Sequence, residues 1–169
     1  VTDVNGNNNY TATITTASVD ASVFNGISNV IANLTDGGVT TLTETAADFA
    51  EVNTALTGGV LNGNEAVTIT GDITAVNVST ILNNTSGVVT ATISSDTAAN
   101  LNSNLTNTSG NDALTLTVTN TPTDAADLVA LNGKTSVNVN AASISLLTGT
   151  IAQVQAAYIG GITGLADKA

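Results

Sequence analysis

Apolar residues alternate with threonine at period two in six short stretches: Tyr10–Ile14, Val39–Leu42, Ala66–Ile69, Val88–Ile93, Ala113–Val118 and Ser136–Val139. β-Branched residues in strict alternation predict strands with one face buried and a Thr-rich face outward. Between them the apolar spacing changes to three or four, at Val23/Ile27/Val30/Leu34, Phe49/Val52/Leu56, Ile73/Val76/Ile81, Leu101/Leu105 and Leu128/Leu131. These groups predict short helices that each bury one stripe.

Punctuation supports both element types. Thr45 and Asp48 have capping-box spacing, and Asp20, Asp72, Asp96 and Asp124 stand near the other expected helix starts, where a short acid accepts free backbone N–H groups. Gly38, Gly63, Gly87, Gly110 and Gly133 each precede a strand, and glycine readily supplies a left-handed turn after a helix. Pro122, the sole proline, falls in a strand-to-helix connection, where a missing N–H matters least.

A phrase recurs on this alternation: Ala46-Ala-Asp-Phe49, Ala98-Ala-Asn-Leu101 and Ala125-Ala-Asp-Leu128, with looser copies at 21–24 and 75–78. The closing residues Phe24, Phe49, Val78, Leu101 and Leu128 are 25, 29, 23 and 27 apart. A drifting period of about 26 residues is the mark of a stacked array. Strand, turn, helix and turn repeated over short links imply parallel neighbouring strands. The expected fold class is therefore α/β: a repetitive strand-helix solenoid, leucine-rich-repeat-like or β-helix-like, with a parallel sheet and about six coils. A doubly wound sheet is the alternative, although its strands are normally buried on both faces and lack alternation. Residues 1–169 read as a single repeat array. Ala141–Ile144 and Ile151–Val154 both echo the phrase, so the last coil is expected to be longer or to begin a further unit. The lack of Met and of a charged-then-apolar leader suggests an excerpt of a longer chain, with any secretion signal elsewhere.

Composition narrows the picture. Hydrophobic residues make up 42% of the chain and aromatics only 2%, which suits thin regular layers better than a core filled by large rings. Phe24 and Phe49 are read as packing residues at the repeated core position. Thirteen acids face only Lys134 and Lys168, a formal charge of −11, so nucleic acid and anionic membrane surfaces are poor partners and cations better ones. No run approaches the ~18 apolar residues of a membrane span.

With no His or Cys, the remaining metal ligands are oxygens, which restricts the choice to hard ions such as Ca²⁺ or Mg²⁺. Asp3, Asn5 and Asn7 match the first positions of a calcium loop, but Asn8 stands where the loop requires Gly and Ile14 where it requires Glu. The turns at Asp36-Gly-Gly, Asn62-Gly-Asn-Glu65 and Gly110-Asn-Asp112 are also oxygen-rich. Asp3, Asn5, Asn7, Asp36 and Asp112 are the candidate calcium ligands, against ordinary turn chemistry. Calcium is expected to bind weakly, at one or more of these turns or between pairs of chains. Asp124 and Asp127 have the spacing of two carboxylates on one helix face, yet a helix cap followed by a first-turn acid explains them as well. A Ser–His–Asp site cannot be built, and neither a Gly-x-Ser-x-Gly elbow nor a phosphate loop occurs. The expectation is a non-enzyme.

The passage Val88–Leu101, with its variant at 125–128, resembles the strand-repeat arrays of very large secreted bacterial surface proteins, cyanobacterial and proteobacterial, over roughly residues 10–150. That group includes surface-layer proteins, fibre components and calcium-associated adhesins. The resemblance implies an extracellular or cell-surface structural protein that self-assembles into a filament, surface layer or matrix fibre. The alternative it implies is the spacer of a secreted adhesin, with cell-surface glycans as further partners. The Gly-Gly-x-Gly-x-Asp calcium nonapeptide that often accompanies such arrays is absent, and no functional residue carries over.

Overall fold

The computed structural model describes residues 10–119 and 121–168. Asp3, Asn5 and Asn7 lie outside the described residues. The chain divides into two compact units, residues 1–71 with 84–89 and residues 72–83 with 90–169.

The first unit runs β1 (Thr11–Ile14), β2 (Ser18–Asp20), α1 (Ala21–Ser28), β3 (Asn33–Asp36), β4 (Thr41–Thr45), α2 (Phe49–Thr57) and β5 (Ala66–Ile73), the last residues of β5 belonging to the second unit. β1 pairs with β3, β2 with β4 and β4 with β5, all parallel. The second unit continues with α3 (Ala75–Leu82), β6 (Val89–Ile93), α4 (Ala98–Asn104), β7 (Ala113–Thr115), β8 (Pro122–Asp124), α5 (Ala125–Asn132), β9 (Val139–Asn140), β10 (Leu146–Thr148), α6 (Ile151–Ile159) and β11 (Ile162–Thr163). Here β6 pairs with β7, β8 with β10 and β9 with β11, again all parallel. The fold is mixed α/β with parallel sheets, as the alternating pattern predicts, with six helices among the described residues.

Register carries the repeat. Partners such as Thr11 and Asn33, Ser18 and Thr41, Thr41 and Ala66, Thr90 and Ala113, Pro122 and Leu146, or Val139 and Ile162 lie 22 to 25 residues apart. Threonine hydroxyls add rungs between paired strands: Thr70 donates to the Glu44 carbonyl at 3.3 Å, Thr148 to that of Thr123 at 3.3 Å and Thr163 to that of Val139 at 3.2 Å. The outward Thr face therefore bonds to backbone as well as meeting water. Inward positions fill with small and branched residues: Phe24, Leu42, Val52 and Val67 in the first unit, Val78, Leu101, Leu114, Leu128 and Val139 in the second, each at most 1% exposed. Repeated burial of such side chains, at about 1.5–3 kcal/mol each, offsets the ordering of a chain with so few rings.

Local chemistry departs from the sequence expectation in three places. Five helices are capped by a side chain, but in α3 and α4 the cap is Thr74 or Thr97 and not Asp72 or Asp96. Asp96 instead accepts the Thr97 N–H at 2.7 Å and the Asn100 amide at 2.9 Å, fixing the residue before the helix. Phe49 does not share the place of Phe24. Thr45 and Asp48 bond to each other through hydroxyl, carboxylate and backbone, closing a turn that delays α2 until Phe49 and hands the buried inner position to Val52. Finally, Ile151–Val154 opens a full helix, α6, started by a capping box between Thr150 and Gln153, whereas Ala141–Ile144 remains outside any helix or strand.

Candidate functional site

Among the described residues the buried polar side chains include three acids, Glu44, Glu65 and Asp112, and two threonines, Thr123 and Thr135. In the first unit, Glu44 takes an inward strand position, in register with Ile69 of β5, and is only 6% exposed. Its carboxylate accepts the Ser22 N–H at 3.2 Å and hydroxyl at 2.6 Å, and the Thr45 N–H at 2.8 Å. Asp20 accepts the neighbouring Val23 N–H at 3.0 Å. Two carboxylates thus satisfy the free N–H groups at the start of α1, where negative charge is favoured.

Two turns repeat one design. In Asn62-Gly-Asn-Glu65, Gly63 has φ +72° and the Glu65 carboxylate accepts the Asn62 N–H at 2.9 Å. In Ser109-Gly-Asn-Asp112, Gly110 has φ +73° and the Asp112 carboxylate accepts the Ser109 N–H at 2.9 Å and hydroxyl at 3.0 Å. Both acids are 1% exposed. A Thr-Ser turn then docks on the carbonyl of each acid. Thr85 donates to the Glu65 carbonyl at 2.6 Å in the first unit, and Thr135 donates to that of Asp112 at 3.1 Å in the second. The approach is so close at Gly87 that a Cβ there would lie 2.3 Å from the Glu65 carbonyl oxygen.

Asp36, one of the candidate calcium ligands, closes a third turn. One of its oxygens accepts the Gly38 and Val39 N–H groups at 2.9 and 2.8 Å, and the other the Asn62 amide at 3.4 Å. Asp36 and Asp112 are not brought together: they lie in different units and each carboxylate accepts hydrogen bonds within its own turn. Among the described residues no group of three or more acidic, His or Cys side chains converges on a point where a metal could sit. Asp124 and Asp127 do share a cleft, of about 260 Å³, with Thr97, Thr121 and Pro122. Asp124 caps α5 through the Ala126 N–H at 2.7 Å, the cap reading that the spacing also allows. The first unit has a cleft of about 340 Å³ beside Phe24, Asn25, Leu34 and Thr54. Uncharged side chains line it, so it offers a shape and no reactive group.

A sequence reading does not pick out Glu44 and Glu65 as buried, because charge argues for solvent. The available signal is register: Glu44 follows Leu42 by two, as Ile69 follows Val67. Comparison with protein-family models, curated proteins and solved structures gives no match. No helix among the described residues is long and apolar enough to cross a membrane.

Proposed function

We propose that this chain is an extracellular structural protein, a strand-helix solenoid of about six coils that assembles with its own copies into a filament, surface layer or matrix fibre. The observation carrying this reading is the parallel pairing at a near-constant offset of 22 to 25 residues within each unit. A chain built by adding one coil to the next makes the same kind of contact repeatedly, and repeats of this kind fold by stacking on neighbours. The use made of the acids supports a structural role. Glu44, Glu65, Asp112 and Asp124 accept backbone N–H groups that close turns and start helices.

The −11 charge opposes contact between copies and makes assembly sensitive to salt and divalent cations. Calcium enters as a bridge between copies, with half-buried Asp36 more open to it than Asp112, which is 1% exposed. Electron microscopy of the purified protein at high concentration, with calcium and with a chelator, tests the reading. Ordered fibres or sheets support it, and their loss with chelator assigns cations to the contacts. Uniform separate particles in both conditions overturn self-assembly and favour the adhesin spacer.

A further inference from the structure

The cleft of about 340 Å³ beside α1 and α2, wholly within the first unit, is lined by polar atoms that the fold leaves unused. Its volume falls within the range of about 300–1,000 Å³ typical of small-molecule sites. The decisive lining residue is Asn25, which is 5% exposed. Its Nδ2 donates to the Glu51 carbonyl at 2.9 Å and to the Glu51 carboxylate at 2.6 Å. Both partners are acceptors, which fixes the orientation of the amide and turns Oδ1 away from them. That oxygen has no partner among the described residues. Asn102 holds the same place in α4 and donates to the Asp127 carbonyl at 2.7 Å, but its Oδ1 is sealed from solvent. Asn25 Oδ1 is not sealed, and the open space beside the residue is the cleft.

The other polar groups of the cleft are biased the same way. The Ser28 hydroxyl donates to the Asn25 carbonyl at 3.0 Å and the Thr54 hydroxyl to the Ala50 carbonyl at 3.1 Å. Their protons are committed, and their oxygens can still accept. The exposed Asn29 amide, uncommitted among the described residues, can both donate and accept. Half-buried Ile31, Leu34 and Val60 supply apolar wall, and no ionisable side chain lines the cleft.

We infer that this cleft binds one neutral hexopyranose ring. Three acceptors and a single two-way amide call for a ligand rich in donors, and hydroxyls on adjacent ring carbons supply them while accepting from Asn29. The C–H face of the ring suits Ile31, Leu34 and Val60. Other ligand classes fit less well. A carboxylate or phosphate would meet mainly acceptors, on a chain of charge −11. An ammonium group would find no carboxylate in the cleft to pair with. An apolar ligand would bury the Asn25 oxygen without a donor, which is costly. This inference goes beyond the assembly reading and does not rest on it.

Saturation-transfer NMR on the full chain tests it, because the method reads binding to single molecules and to fibres alike. The probes are methyl α-glucoside, methyl α-galactoside, methyl α-mannoside and N-acetylglucosamine, with sodium glucuronate and cyclohexanol as charged and apolar controls. At least one neutral sugar is expected to bind saturably with a dissociation constant of about 1–10 mM. Ala32→Tyr, at an exposed lining residue, fills the cleft and is expected to abolish binding. Thr54→Val, also at an exposed position, keeps the shape but removes one acceptor, and is expected to weaken binding about three- to tenfold. Circular dichroism melts confirm that both variants fold. Absence of saturable binding by any of the four sugars up to about 100 mM overturns the inference. Binding that is unchanged in either variant places the sugar elsewhere and also overturns it. Glucuronate or cyclohexanol binding as tightly as the neutral sugars overturns the ligand class.

Discussion

The two acidic turns, Asn62–Glu65 in the first unit and Ser109–Asp112 in the second, share a left-handed glycine, a buried acid and a docked Thr-Ser turn, yet differ in how completely the acid is satisfied. Ser109 gives Asp112 both an N–H and a hydroxyl. Asn62 gives Glu65 one N–H, and the other Glu65 oxygen is buried without a hydrogen-bond partner among the described residues. The docked turns differ as well. Thr135 is buried and bonds four backbone groups, those of Asp112, Leu114 twice and Val137, and its turn accommodates Val137. The Thr85 turn packs so closely on Glu65 that only Gly87 fits. Backbone approach in one unit does the work that side-chain hydrogen bonding does in the other.

The sharpest way to break this contrast is Gly87→Ala. A methyl 2.3 Å from a backbone carbonyl cannot be relieved by a rotamer change, so a loss of about 3 kcal/mol is expected in urea unfolding. The matching change Val137→Ala is expected to cost under about 1 kcal/mol, because the two carbons removed, worth about 0.8 kcal/mol each when fully buried, are only half-buried here. Equal effects would remove the distinction. Next in size, Thr135→Val leaves the Leu114 and Val137 N–H groups without their side-chain acceptor, a loss of about 2 kcal/mol. The acids then separate the turns by isosteric exchange. Asp112→Asn weakens two charge-assisted bonds and is expected to cost about 1 kcal/mol. Glu65→Gln removes a buried charge with a single partner and is expected to be neutral or slightly stabilising, within about 1 kcal/mol. Hydrogen exchange at the Ser109 and Asn62 amides provides the local reading: faster exchange is expected at Ser109 in Asp112→Asn, with little change at Asn62 in Glu65→Gln.

Much of the fold is legible in the sequence because the alternating stretches and the 3.6-spaced stretches rarely overlap. β4, β5, β6 and α2 through α5 fall on the expected segments with edges displaced by a few residues, whereas α1 ends at Ser28 and Leu34, expected on its helical stripe, stands in β3. β2, β8 and β10 are three residues each, too short to show a period, and they run directly into helices through Asp20, Asp124 or, after one glycine, Thr150. α6 is less visible because its first residue is Ile where the repeated phrase has Ala, and its third is Gln where the closest copies have Asp or Asn. Asp72 and Asp96 draw attention as caps because acids are frequent there, whereas Thr74 and Thr97 occupy the geometrically correct place one or two residues later. Among the candidate ligands, Asp36 and Asp112 were visible as turn acids, but their hydrogen-bond partners come from backbone geometry that spacing does not reveal.

Repetition of one coil-to-coil contact is the feature on which the functional reading depends, and sedimentation velocity of the wild-type chain over a wide concentration range tests it most directly. Species growing through successive whole-number multiples of the chain mass, more strongly at higher salt as the −11 charge is screened, are the expected result. A single monomeric boundary at every concentration and salt would contradict it.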